Sequence, residues 1–291
     1  MVPWRARRAV ANLFGGIAAR RQMRRHQAAR VNLDIAFGDT LSADEKQRIT
    51  AQSFQSFIRC MLDAIALIPT LNRDNWTRRL KVPQADIDAL KGELAKGKGV
   101  LVMFSHYGNW ELMGTAMPFI SGVPVNVVAK RQSAISNPFI EGFRTQTGNK
   151  VIYKEGAVRA TLKALRAGEI VGLSIDQNFS RGIFVPFFGV PAGTVDTLAA
   201  LARASGAPIV PLVCTPEDDG IYRGRLLPAV RAVKTDDKDQ DVFDITRGCF
   251  RVLEETIRER PELWLWGHKR WKSRPPGEVP QQDIYAATPA D

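Results

Sequence analysis

Along the 291 residues the spacing of apolar positions changes once. In "LSADEKQRITAQSFQSFIRCMLDAIALIPT" (41–70), apolar side chains return every three or four residues, the period of a helix with one buried face. Ser42 followed by Glu45 is a capping box, and Pro69 marks the stop. Up to about residue 80 the pattern predicts helix. Beyond it come short runs that are apolar throughout: "GVLVMFS" (99–105), "VPVNVVA" (123–129), "EIVGLSI" (169–175) and "APIVPLV" (207–213). Runs of that length without alternation read as strands buried on both faces. Helical spacing fills the intervals at 109–120, 137–148, 156–167 and 194–205. Residues 221–230 suggest an edge strand, and 240–259 a closing helix before Pro261. This alternation predicts an α/β fold, a mainly parallel sheet flanked by helices, with an N-terminal helical extension.

Residues 112–129 carry no charge, but Pro118, Gly122 and Pro124 divide them into a buried helix, a turn and a strand rather than a membrane span. Composition changes the picture mainly through charge. The chain has 41 Lys and Arg against 30 Asp and Glu, a formal charge of +11, which favours an anionic partner: nucleic acid, an anionic membrane, or an acidic substrate or carrier. Eight arginines fall within residues 1–30, and no acid precedes Asp34. Between them "AVANLFGGIAA" is too short to cross a bilayer. Val10, Leu13, Phe14 and Ile17 would share one stripe, giving a basic helix that lies on a membrane surface or is simply solvated. Cys60, Cys214 and Cys249 are too scattered for a disulfide framework or a metal-ligand pair. No phosphate loop, dinucleotide fingerprint or metal motif is present, so no cofactor is expected.

The candidate chemistry starts at "FSHYGNWELMG" (104–114), where an apolar strand runs into a histidine. Ligands of open α/β sheets gather at the carboxyl ends of strands. His106 and Glu111 diverge on one continuous helix. They converge if the chain turns at Tyr107-Gly108-Asn109 and a helix capped by Asn109 begins there. A histidine beside a carboxylate can deprotonate a hydroxyl, and without a serine or cysteine motif the substrate's own hydroxyl is the natural nucleophile. "AKRQSAISNPF" (129–139) sets Lys130 and Arg131 after a strand, where they can hold phosphate or form a solvated loop. Arg144, taken singly, reads as a surface residue. "LSIDQNFSRGIFVPFFG" (173–189) leaves a strand at Asp176-Gln177-Asn178, where Asp176 can cap or brace a site. It then enters an aromatic loop whose Phe184, Phe187 and Phe188 suit an acyl chain or a core. "ELWLWGHKRWKSRP" (262–275) mixes three tryptophans with four Lys and Arg residues, as a membrane interface or a nucleic-acid surface would.

Over roughly residues 30–275 the ordered blocks "SHYGNWEL", "RQSAISNPF", "SIDQNFSRGIFVPFFGVPAGT", "GAPIVPLV" and "LWLWGHKRWKSRP" resemble the bacterial lipid A biosynthesis acyltransferases, a branch of the lysophospholipid acyltransferase superfamily. The resemblance implies a glycerolipid acyltransferase-like fold and transfer of a fatty acyl group from acyl carrier protein or acyl-CoA to a lipid hydroxyl. His106 would be the general base and Glu111 its partner. Lys130, Arg131, Arg144, Asp176 and Gln177 would bind substrate, and Phe184, Phe187 and Phe188 would wall the acyl chain, with no metal. It also implies a helical, membrane-associating part at 1–80, an acyltransferase domain at 81–275 and a tail at 276–291. The place would be the cytoplasmic face of a bacterial inner membrane, with peripheral attachment or an anchor upstream. Two other activities use the same residues differently: hydrolysis of acyl thioesters with His106 acting on water, and nucleic-acid binding through the arginines.

Overall fold

The computed structural model describes residues 3–20, 24–129, 131, 141, 142, 144–153, 156–278, 284 and 285. Three helices come first: α1 (Trp4–Arg20), α2 (Arg24–Phe37) and α3 (Ala43–Leu67). The Ser42–Glu45 capping box closes in both directions at the start of α3. Then follow β1 (Leu80–Lys81), α4 (Gln84–Leu94), β2 (Val100–Phe104), α5 (Trp110–Ser121), β3 (Val125–Ala129) and β4 (Lys150–Tyr153). After them come α6 (Ala157–Arg166), β5 (Ile170–Ser174), β6 (Ile183–Phe187), β7 (Val190–Thr194), α7 (Thr197–Ser205), β8 (Ile209–Pro216), β9 (Tyr222–Leu226) and α8 (Lys238–Glu259).

Seven strands form one sheet in the order β1-β9-β8-β2-β5-β3-β4, parallel except where β9 runs back along β8. The α/β architecture expected from the apolar runs is therefore present. Its central strand β2 is buried along its whole length. Val100, Val102 and Phe104 face one side, against α4 and α5, while Leu101 and Met103 face the other, among residues of α6, α7 and α8. Ala29, Leu33 and Ile49 of the N-terminal helices join that second layer. Residues 112–129 are the helix, turn and strand anticipated, with Gly122 in the left-handed conformation at the end of α5.

The residues read as an aromatic loop form a two-stranded antiparallel hairpin, β6–β7, and so the helix expected from 194 starts at Thr197. Phe188 and Gly189 make its turn with φ of 51° and 77°. Positive φ at both central positions suits a right-twisted hairpin but is uncommon for phenylalanine. The strained Phe188 is held from both ends: its N–H donates to Glu254 at 2.9 Å, and its ring packs against Phe37 and Phe187. The helix expected at 137–148 is described only from residue 141.

Candidate active site

β2 and β5 are adjacent, parallel and paired from Val100↔Ile170 to Phe104↔Ser174. Residues at equal distance beyond that last pair emerge side by side, because neighbouring strands lie roughly 4.8 Å apart. His106 and Asp176 occupy those positions. Asp176 Oδ1 receives the ring at Nδ1 (2.9 Å), and Oδ2 accepts the backbone N–H of His106 (2.7 Å) and the indole N–H of Trp264 (3.1 Å). The carboxylate is 2% exposed, while 22% of the histidine side chain reaches solvent.

Burial alone would raise the Asp176 carboxyl, yet the charge and hydrogen bonds of His106, with the Trp264 indole, hold it down to about 2. Burial likewise pushes His106 down. The charge and hydrogen bond of Asp176, helped by Glu111 and opposed by Arg144, outweigh burial and leave the imidazole above its ordinary value. Asp176 is therefore an anion whose acceptor oxygen fixes the neutral ring as the Nδ1–H tautomer. Nε2 then carries the free lone pair on the cavity side, with the Gln177 amide nitrogen 3.3 Å away.

The turn after His106 is pressed against β8. A Cβ on Gly108, whose φ is 61°, would lie 1.9 Å from the carbonyl oxygen of Cys214, so only glycine fits. Asn109 donates its backbone N–H to that same carbonyl (2.8 Å), and its side chain caps α5 by accepting from Leu112 (3.0 Å). This is the turn and new helix that the spacing required. The side chain of Glu111 goes elsewhere, however: it pairs with Arg144 Nη2 at 2.7 Å. The histidine's hydrogen-bonded carboxylate is Asp176, and Glu111 acts on His106 only through its charge. The cause is the sheet register, which delivers Asp176 to the ring before the first turn of α5 begins.

A cavity of about 220 Å³ opens beside the ring, between α5 and the ends of β3 and β5. His106, Glu111, Arg144 and Gln177 border it on the polar side, and Phe104, Val127 and Gly172 are among its apolar walls. The phenylalanines expected to wall an acyl chain do not line it. Phe187 is fully buried among Phe250, Trp264 and Trp271, Phe188 is 8% exposed in the same core, and Phe184 lies on the hairpin outside the cavity. Phe187 and Phe188 are absorbed by the hairpin's packing against α8. Arg131 is exposed, with its guanidinium 3.8 Å from the centre of the Tyr153 ring, and Lys130 lies outside the described residues.

The tryptophans of this block, read as part of a membrane interface or a nucleic-acid surface, point into the core instead. Trp264, Trp266, Arg270 and Trp271 are at most 2% exposed. The Leu265 N–H donates to the carbonyl of His106 (3.0 Å), and the Gly108 N–H to that of Leu263 (2.9 Å). Arg270 donates to the carbonyls of Gln177 (3.2 Å) and Gly193 (2.6 Å) and to the hydroxyl of Thr194 (2.6 Å). His268 Nε2 accepts the N–H of Asn178 at 3.0 Å. Sequence reading missed this support, and the alternation of tryptophan with arginine was its only sign.

Among the described residues, no group of three or more His, Cys, Asp or Glu side chains is placed to hold a metal ion. Burial pushes the thiols of Cys60, Cys214 and Cys249 up, that of Cys249 to about 12, so none is an activated nucleophile.

Comparison with known proteins agrees with the block pattern. The family described as Bacterial lipid A biosynthesis acyltransferase matches residues 1–273. The lipid A biosynthesis palmitoleoyltransferase of Escherichia coli K12 is 27% identical over 272 residues, covering 91% of this chain and 84% of that protein. The lauroyltransferase of the same organism is 27% identical over 277 residues, with the same coverage. The phosphatidylinositol mannoside acyltransferase of Mycobacterium tuberculosis H37Rv is 27% identical over 225 residues, covering 75% of this chain and 69% of its own.

Proposed function

This chain belongs to the bacterial lipid A biosynthesis acyltransferase family, and from that membership and the strand-end geometry we propose that it moves a fatty acyl group from a thioester to a hydroxyl of a lipid A precursor or related glycolipid. One observation carries the mechanism: His106 is held at Nδ1 by an ionised, buried Asp176 and turns Nε2 towards the cavity.

The acceptor hydroxyl gives its proton to Nε2 as its oxygen attacks the thioester carbonyl. Asp176 stabilises the imidazolium that forms. The tetrahedral intermediate collapses with loss of the thiolate, which takes the proton back from Nε2, so the histidine ends neutral and an ester replaces the thioester. Gln177 must give up Nε2 when the hydroxyl arrives, and its amide can then donate to the developing oxyanion. Arg144, fixed by Glu111, offers its remaining donors to an anionic group of the acceptor. Both donor classes, acyl carrier protein and acyl-CoA, are acidic and suited to a chain of +11.

We place the reaction at the cytoplasmic face of a membrane, with peripheral attachment through α1. No helix among the described residues is long and apolar enough to cross a membrane. α1 packs on α3 through buried Arg7 and Ala11 and through Gly15, where a Cβ would strike Gln55 at 2.2 Å. Its other side leaves Val10, Leu13 and Phe14 from 38 to 62% exposed amid arginines, a combination suited to anionic lipid.

The test is mass spectrometry of the products from purified protein, an acyl thioester and a lipid A precursor. An acylated lipid supports the reading. Free fatty acid alone, with water as acceptor, would make it a hydrolase.

A further inference from the structure

Two glycines around the cavity have no backbone reason to be glycine. Gly114 lies inside α5 and Gly172 inside β5, neither with positive φ, and at such places glycine weakens the element relative to alanine. Each instead faces the ring of Phe104. A Cβ on Gly172 would fall 2.2 Å from Cε2 of that ring, with Cδ2 and Cζ at 3.1 and 3.2 Å. A Cβ on Gly114 would meet Cε1 at 3.2 Å and Cζ at 3.4 Å. The ring extends from β2 over the bare patch of β5 and under the bare patch of α5.

Phe104, Gly114 and Gly172 all line the cavity beside His106. Val102, level with Gly172 across the sheet, is 0% exposed, and Leu112, Met113 and Met117 fill the α5 layer next to it. An apolar chain entering past His106 therefore meets the Phe104 ring, with these buried side chains behind it.

We propose that Phe104, seated between Gly114 and Gly172, is the floor of the acyl pocket and sets the length of the chain transferred. The proposal rests on the acyltransferase reading of the same cavity. It makes the two glycines the adjusting parts. A methyl at 172 displaces the ring or occupies the cavity itself, and a smaller side chain at 104 returns volume to it.

The experiment measures kcat/KM of the purified full chain for acyl thioesters of graded length, each against the same lipid acceptor, with folding checked by thermal melting. Phe104→Leu should raise the ratio of longer to native chain by about tenfold, the scale on which an apolar pocket discriminates a methylene. Gly172→Ala should move the ratio about as far towards shorter chains. Gly114→Ala, whose methyl needs only a few tenths of an ångström, should move it the same way by less. That variant keeps the test intact if the β5 substitution impairs folding. Transfer with the wild-type order of lengths in Phe104→Leu and in the glycine variants would overturn the assignment and leave acyl transfer standing. Absence of transfer by the wild type with every thioester would remove the acyltransferase reading and the proposal with it.

Discussion

Two stretches of this chain have nearly the same chemical character and opposite fates. α1, with its tryptophan, arginines and apolar stripe, is held to the body on one side and leaves Leu13 and Phe14 in solvent. Residues 262–275, also rich in tryptophan and basic residues, put all three tryptophans and Arg270 into the core. The difference is where the backbone acceptors are. Arg270 finds two carbonyls and a hydroxyl at the mouth of the β6–β7 hairpin, and stands 5.6 and 5.4 Å from the ring centres of Phe187 and Phe250. Burial lowers its guanidinium to about 10. Of the α1 arginines with described side chains, Arg7 turns inward to a buried carboxylate, Asp63, while Arg8 stays at the surface against Trp4. A basic aromatic segment becomes core when three-dimensional structure supplies acceptors, and that supply is invisible in composition.

Breaking the core side of this comparison should have the larger effects. His106→Ala should reduce kcat/KM by about a thousandfold or more in a steady-state acyl-transfer assay while the protein stays folded, because its role is proton transfer. Asp176→Asn should also cost orders of magnitude, and it should move the pH profile. The wild-type acid limb should lie above the ordinary histidine value of about 6.5, and the variant's below it, since only the weaker charge of Glu111 then opposes burial. An unmoved limb would refute the pairing. The same pair bears on stability. The contribution of Asp176 is present above its unfolded value of about 3.9 and fades as pH falls towards about 2; that of His106 is present below about 6.5 and fades as pH rises through its raised folded value. Chemical denaturation should therefore show the largest gap between wild type and Asp176→Asn at about pH 4–6.5.

Arg270→Met should destabilise the fold by about 3 kcal/mol in urea titration, leaving three acceptors, two of them buried, without their donor. Trp264→Phe, which takes the indole N–H from Asp176 and leaves a small cavity beside Phe187 and Trp266, should lower turnover about tenfold with a smaller loss of stability. The smallest effect belongs to the outward stripe: Leu13→Ser with Phe14→Ser should leave the melting temperature and the rate on detergent-dispersed lipid nearly unchanged. Affinity for anionic vesicles, measured by co-sedimentation, should fall several-fold. Undiminished vesicle binding would remove α1 from the membrane.

Much of the fold was legible because β2, β5 and β8 are continuous apolar runs at the right intervals, and Asn109 and Gly108 announce the turn after His106. The hairpin was not, since "IFVPFFGVPAGT" carries prolines that argue against strand. Pro186 and Pro191 stand directly opposite each other, where the ladder asks for neither N–H. Of the site, His106 and Asp176 were both singled out, but their partnership depends on β2 lying next to β5 in register, which local sequence does not state. Glu111 was drawn to the histidine by nearness along the chain, and Arg144 by nothing except resemblance. The bond between these two closes 33 residues of chain.

The brace formed by residues 264–270 has a consequence for the order in which the enzyme comes into being. A ribosome that has added residue 250 has made both members of the proton-transfer pair, yet the indole on Asp176, the partner of the His106 carbonyl and the guanidinium under Gln177 are still unsynthesised. Chemistry thus waits on a segment translated after every strand of the sheet and after α8. A release product that stops before the tryptophans would hold His106, Asp176, Glu111 and Arg144 and remain inert.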